Sequence, residues 1–443
     1  MQVNSVSKIS SIKPMCAYLP TLRKLLLIAV GVGAFATAAI AAGRPGFEGN
    51  SDEHWVATWG TAIHAPDLGV PGLANTGFNN QTLRQIVHTS IGGHKVRVRF
   101  SAFGANALVV GAAHIALSAG GATIILASDR TLTFGGKPSI TIPPGALVLS
   151  DPINLDVPPL SDLAVSVFVP GATGPAAWHF EARQTLYVSS QGDFTGSGGM
   201  PVDSTTPPML AWFWLSSVEV TSSRETGGIV AFGDSITDGT QSTPDANKRW
   251  PDQLARRLMD QPDSRKLGVV NKGIAGNRIL HDSLGPGALA RFDRDTLAST
   301  GVTHVIVQLG GNDIFTINPT EEVSVDQIIQ GHKQLIERAH AKGLRIYGCT
   351  LTPVQGFLVP GTPFPVFTVA NEAKRQAVNA WIRTSGEYDA IIDFDRVLRD
   401  PDNPARILPS YDSGDHGHPT DAGYKALADA IELRLFSDDE NRW

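Results

Sequence analysis

The chain holds only two cysteines in 443 residues, Cys16 and Cys349. That excludes a disulfide scaffold and any cysteine-rich zinc or iron–sulfur centre. Charged residues are sparse at 18%, and the net charge is −6. A basic excess is missing, which argues against nucleic acid as a partner. Glycine (45) and proline (29) are plentiful but follow no fixed period, so collagen-like and coiled-coil chains are excluded. There is no His-Glu-x-x-His pair, and no metal ion or other cofactor is expected. What is present is 42% apolar residues on a length that suits two or three domains with full cores.

Residues 1–42 contain no acid but four basic residues, Lys8, Lys13, Arg23 and Lys24. Leu25 to Ile40 is then apolar and small, and Ala39-Ile40-Ala41 is a small-x-small cleavage pattern. The stretch reads as a secretory signal peptide, which predicts a secreted or periplasmic protein. Its apolar run is at the short end for a span, which takes about 17–25 residues, so no stable membrane span is expected after cleavage. Losing four positive charges takes the net charge from −6 to −10 and leaves Cys349 alone. The mature fold must then rest on its cores.

From Trp55 to Val220 the dominant period is two. Val96, Val98 and Phe100 alternate with Arg97 and Arg99, and Leu163, Val165, Val167 and Val169 repeat the pattern. Short alternating runs punctuated by Gly and Pro predict an all-β sandwich over 50–224. Residues 196–208, rich in Gly, Ser, Thr and Pro, predict a mobile loop inside it. Five of the eight tryptophans fall here; tryptophan in such a domain is usually core, and alternation puts Trp212 and Trp214 on one face. An exposed set would stack on sugar rings. His88, His114 and His179 are scattered and receive no role.

From Gly228 the pattern changes to continuous apolar runs, Ile229–Phe232, Val269-Val270, Val305–Val307, Leu344–Cys349 and Ala390–Ile392. Runs of this kind are strands buried on both faces. Helical patterns separate them. One opens at Trp250-Pro251, and Ser324 with Gln327 makes a capping box before another. Residues 370–385 and 421–435 are two more. The alternation predicts a parallel sheet with helices on both faces over 225–440, an α/β class with ligands at the carboxyl ends of the strands.

Four short motifs fall at those ends. Gly233-Asp234-Ser235 places a serine on a strand-to-helix turn. Asn271 to Asn277 offers glycine N–H groups at Gly273 or Gly276. Gly310-Gly311-Asn312-Asp313 offers an amide donor for an oxyanion, with Asp313 to buttress the loop. Asp412 to Pro419 holds two histidines, His416 and His418. A serine hydroxyl needs a base, and the base needs an orienting group; Asp415, three residues before His418, supplies that pair from one loop. The Gly-x-Ser-x-Gly elbow of ordinary α/β-hydrolases is lacking.

In this order the motifs resemble those of the GDSL-type esterases, the SGNH hydrolase family, over about residues 228–435. The resemblance implies a three-layer α/β/α fold with Ser235 as nucleophile, His418 as base and Asp415 as its partner. It implies an oxyanion hole from the Ser235 and Gly276 N–H groups and the Asn312 amide, with Gly273 and His416 as rivals to Gly276 and His418. A β-sandwich before such a domain is similar to secreted acetylxylan-esterase-like members. The expectation is a serine esterase that removes short acyl groups, acetyl first, from polysaccharide. A lipase or lysophospholipase with the same residues is the alternative, and a non-catalytic carbohydrate-binding protein a more distant one. Gly356–Phe367 is expected either to wall the site or to pack on the sandwich.

Overall fold

The computed structural model describes residues 53–66, 73–104, 106–206, 208–261, 266–315, 321–358 and 366–437. The leader read over 1–42 lies outside them. Residues Asp52–Trp443 form one compact unit. Among the described residues no helix is long and apolar enough to cross a membrane.

The amino-terminal half consists of antiparallel sheets. One orders His54–Gly60, Leu215–Ser222, Gly93–Ser101 and Ile153–Val157 as neighbours; the other orders Met209–Phe213, Trp178–Gln191, Gln81–His88, Asp162–Val169 and Ala112–Gly120. Their inner faces carry the period-two sets. Val96, Val98 and Phe100 are fully buried, as are Leu163, Val165, Val167 and Val169. Each such side chain contributes roughly 1.5–3 kcal/mol relative to exposure. The arginine face is not a solvated surface. Arg97 Nε donates to Glu219 at 2.7 Å, Arg99 pairs with the same carboxylate at 2.8 Å, and Glu219 itself is buried. Thr300, from the second half, also donates to Glu219 at 2.8 Å.

Trp59, Trp178, Trp212 and Trp214 are core residues. Trp212 Nε1 donates to the Ile86 carbonyl at 2.9 Å, and its ring meets Trp59 edge-on at 4.9 Å. Trp214 adopts a positive φ of 56° between two strands, so simple alternation fails there. It is buried along with Trp212 and Phe213. Trp55 lies under the Arg97 guanidinium at 4.4 Å. The four core tryptophans are therefore structural and do not form a sugar-stacking face. The predicted loop at 196–208 is pinned near its start: Arg84, buried, donates to the carbonyls of Phe194 and Ser197 at 3.0 and 2.9 Å. Ser189 and Val202 also form a β-bridge.

The second half is a parallel sheet in the order Leu267–Gly273, Gly227–Gly233, Val302–Gln308, Arg345–Cys349, Ala390–Ile392. Alternate residues of one strand serve opposite cores, because side chains alternate across a strand. Val230 and Phe232 pack with Ile328, Leu335 and Ile336 of helix Val325–His340. Ile229 and Ala231 pack with Trp250, Leu254 and Leu258 of helix Trp250–Met259 and with Tyr424 and Leu427 of helix Asp421–Asp429. This is the three-layer α/β/α arrangement. The Ser324–Gln327 capping box is formed, and the predicted last helix ends at Asp429, with a 3-10 turn at Leu433–Phe436.

Strand His54–Gly60 packs beside strand Leu267–Gly273, and Val269 N donates to Ser90 Oγ at 2.9 Å. Lys272 crosses the junction fully buried, donating to the carbonyls of Thr61 and Ser216 at 2.6 and 3.2 Å. Burial lowers its ammonium to about 7.

Candidate active site

Strand Gly227–Gly233 runs into a four-residue helical turn, Ser235–Asp238, whose cap is Asp234. The Asp234 carboxylate accepts the Ile236 N–H at 3.0 Å, which sets the turn and leaves Ser235 half-buried at the strand end. Burial, with Asp313 nearby, pushes the Asp234 carboxyl up to about 7 against that hydrogen bond.

Ser235 Oγ lies 2.9 Å from His418 Nε2. His418 Nδ1 lies 2.7 Å from Asp415 Oδ2. An ionised carboxylate only accepts, so Nδ1–H donates to Asp415 and the Nε2 lone pair faces the serine hydroxyl. The other oxygen, Asp415 Oδ1, accepts the N–H groups of Gly417 and His418 at 2.9 and 2.8 Å. Burial acts to raise the Asp415 carboxyl, but the His418 hydrogen bond and charge and those two N–H groups outweigh it and hold it well below the usual carboxylate range. Asp415 therefore stays ionised and fixes the ring. His416 points elsewhere: its Nδ1 pairs with Asp412 at 2.6 Å, and the residue is exposed.

The glycine rivals also separate. Gly273 is buried, and its N–H donates to Asn271 Oδ1 at 2.9 Å. Gly276 lines the cleft in front of Ser235 at φ 70°, a conformation that favours glycine. Asn312 lines the same cleft, and its Nδ2 donates to the Asn277 carbonyl at 3.1 Å. An Asn amide carries two N–H donors, so one remains for a ligand. Gly310, at φ 111°, turns the chain into the short helix Gly311–Ile314 that carries Asn312. Asp313 accepts the N–H groups of Ile279 and Leu280 at 2.7 and 3.2 Å, tying this loop to the segment after Gly276.

The cleft has a volume of about 730 Å³. Phe315, Leu351, Val354, Phe357 and Leu358 make an apolar wall. Phe357 meets the His418 ring edge-on at 5.4 Å, so this end of the Gly356–Phe367 loop walls the site, while 359–365 lie outside the described residues. Phe180, Glu181 and Arg183 of the sandwich line the cleft too.

Two buried groups near the site carried no signal in the sequence. Arg291, fully buried, donates to the carbonyls of Gly233 at 2.9 Å and Lys272 at 2.7 Å and to Asn277 Oδ1 at 2.8 Å. It clamps the ends of two strands under the catalytic turn. His179, from the sandwich, has Nε2 2.9 Å from Asp238 Oδ1, and Asp238 Oδ2 accepts the Ala275 N–H at 3.1 Å. Cys349 is buried, which pushes its thiol well up and leaves it inert. Among the described residues no group of three or more His, Cys, Asp or Glu is placed to hold a metal ion.

The model of the GDSL-like lipase/acylhydrolase family matches residues 231–426, the segment that carries all four motifs. Those residues are a GDSL-like lipase/acylhydrolase domain. The GDSL-like domain makes this chain a carboxylic ester hydrolase. Solved structures similar to the chain include the aryl esterase of M. smegmatis, at 17% identity over 48% of this chain and 100% of that one, with TM-score 0.38. A GDSL-like lipase from Bacteroides thetaiotaomicron is 19% identical over 46% of this chain and 85% of that one, with TM-score 0.35. A carbohydrate acetylesterase from Sinorhizobium meliloti is 15% identical over 46% and 96%, with TM-score 0.36. No curated protein matches the chain.

Proposed function

We propose that the protein is a secreted or periplasmic serine esterase that removes acetyl groups from polysaccharide through an acyl-enzyme on Ser235. The observation that carries the catalytic reading is the continuous relay from Ser235 Oγ to His418 at 2.9 Å and on to Asp415 at 2.7 Å. His418 Nε2 takes the hydroxyl proton as Ser235 Oγ attacks the ester carbonyl carbon. The carbonyl oxygen becomes an oxyanion, held by the N–H groups of Ser235 and Gly276 and the second N–H of Asn312. Collapse breaks the carbon–alkoxide bond, and the alcohol leaves with the proton from His418. Water, deprotonated by the same ring, then attacks the acyl-enzyme, releases the carboxylic acid and restores Ser235. Nucleophile, base and oxyanion donors all come from side chains and backbone, so the cycle needs no metal ion.

The apolar wall of Leu351, Val354, Phe357 and Leu358 favours a second reading, a lipase or lysophospholipase with a longer acyl pocket. Hydrolysis of acetyl, hexanoyl and palmitoyl nitrophenyl esters separates the two, with acetylated xylan as the natural-type substrate. The acetyl reading expects kcat/KM to be highest on the acetyl ester and acetate to be released from the xylan. A maximum at palmitoyl overturns it in favour of the lipase. Export is tested by the first residue of the mature protein, expected at Ala42 or Gly43.

A further inference from the structure

Strand Trp178–Gln191 is irregular where it meets the cleft. Its pairing with Met209–Phe213 breaks register between Phe180 and Thr185. Within that break Glu181 and Arg183 both adopt positive φ, 63° and 51°, a conformation that non-glycine residues adopt only under constraint. The constraint comes from the GDSL-like domain. Asp245 accepts Thr185 N and Oγ1, each at 2.6 Å, and Gln184 Nε2 at 2.8 Å. Arg249 donates to the Ala182 carbonyl at 2.7 Å. Strained backbone held by its surroundings is a mark of a functional site. Here its result is that Ala182 and Gln184 turn inward while Glu181 and Arg183 line the catalytic cleft.

We propose that Glu181 and Arg183 form a subsite for the alcohol moiety of a neutral, hydroxyl-rich ester. The proposal rests on ester hydrolysis at Ser235. Arg183 Nε and Nη2 donate to the Ser242 carbonyl, and Nη1 stands 3.7 Å from Glu181 Oε2. Among the described residues no donor lies within hydrogen-bond distance of the Glu181 carboxylate. A half-buried carboxylate with open lone pairs is a strong acceptor for ligand O–H groups. Its burial, with Asp238 close by, raises the carboxyl, while the charges of Arg183 and His418 act against the rise. Glu181 shares the cleft with His418, whose ring protonates the leaving alcohol, so the alcohol is the part of the ester assigned to it.

The signs of the charges select the ligand class. Arg183 repels a cationic alcohol, and Glu181 repels an anionic one. A neutral polyol, whose hydroxyls both donate and accept, satisfies the pair. Arg278 and Glu321, also paired and lining the cleft, repeat this balance. The sandwich domain would then supply specificity to the GDSL-like domain from within its own cleft.

The test compares three acetate esters: acetylated xylobiose, acetylcholine and 4-nitrophenyl acetate. Glu181→Gly removes the carboxylate and suits the positive φ, so the fold is kept, as thermal unfolding checks. The expected result is a fall of about tenfold or more in the ratio of kcat/KM on acetylated xylobiose to that on 4-nitrophenyl acetate. In parallel, xylotetraose binding is measured by calorimetry to Ser235→Ala and to Ser235→Ala/Glu181→Gly, and the second is expected to bind about tenfold more weakly or not at all. An unchanged ratio with unchanged binding in folded variants overturns the subsite and leaves the esterase reading intact. Wild-type preference for acetylcholine over the sugar ester overturns the neutral-polyol assignment. Full hydrolysis by Ser235→Ala is the separate signature of failure of the underlying reading, and overturns both.

Discussion

His179 of the sandwich and Asp238 of the catalytic turn form a buried pair at 2.9 Å. The His179 ring is held from its other side by the Ala62 carbonyl at 3.0 Å. Through Asp238, which accepts the Ala275 N–H, the pair fixes the backbone one residue before Gly276. The accessory domain therefore braces the segment proposed to hold the oxyanion. His179→Phe keeps ring volume but leaves Asp238 a buried carboxylate with one partner fewer. It is expected to lower stability by about 1–3 kcal/mol and kcat about tenfold, with KM little changed. Adding Asp238→Asn should recover part of the stability, because the uncompensated charge is gone. Unfolding curves and steady-state kinetics on the two variants check both statements. Equal kcat in folded His179→Phe would separate the pair from catalysis.

Asn312 tests the oxyanion hole. Removing one such donor lowers kcat about 10²–10³-fold. Asn312→Ala is expected to fold and to lose that much on 4-nitrophenyl acetate; retention of full activity would remove Asn312 from the hole.

Two Asp–His pairs sit in one loop, and only one reaches the serine. Asp415→Asn keeps its oxygen on the Gly417 and His418 N–H groups and turns its amide N–H toward Nδ1, which favours the wrong tautomer, and is expected to lower kcat about 10³–10⁴-fold. Asp412→Asn affects the exposed His416 and is expected to change kcat less than threefold, on the order of 0.5 kcal/mol. The reverse ranking, read from the same assay, would exchange the pairs.

Lys272 makes stability depend on pH. Its folded value, about 7, lies below the ordinary 10.5, because burial disfavours the charged form. Between those values the unfolded chain binds the extra proton, so stability rises as pH rises through the window. Lys272→Met removes the titrating group. Denaturant unfolding from pH 7 to 10 should show a steeper rise in wild type than in the variant, and parallel curves would contradict the assignment.

How far the sequence foretold this molecule depends on the range of the interaction. The apolar runs from Ile229 to Ile392 and the alternation at Val96–Phe100 and Leu163–Val169 set strands, layers and cores, since burial on one or both faces leaves a local period. Ser235, Asn312 and His418 were legible because each sits at a strand end in a short, composition-marked loop. Gly273 against Gly276 was not separable by spacing, and His418 was preferred to His416 only for its place three residues after Asp415; contacts with side chains in three dimensions separate each pair. His179, Glu181, Arg183 and Arg291 left no signal. Their partners lie in distant chain segments, and a lone Arg or Glu in sequence reads as solvated surface. The bulge between Phe180 and Thr185 follows from Asp245, 60 residues further on. The positive φ at Trp214 also left no signal, although Trp212 and Trp214 are both core, as tryptophan in such a domain usually is.

The most direct test of the account is 4-nitrophenyl acetate hydrolysis by purified wild type and Ser235→Ala, both shown to be folded by thermal unfolding. Loss of the nucleophile is expected to lower kcat on the order of 10⁶-fold, leaving only what the oxyanion hole and binding supply. Equal rates for the two proteins would contradict it, and with it the catalytic relay from Ser235 through His418 to Asp415.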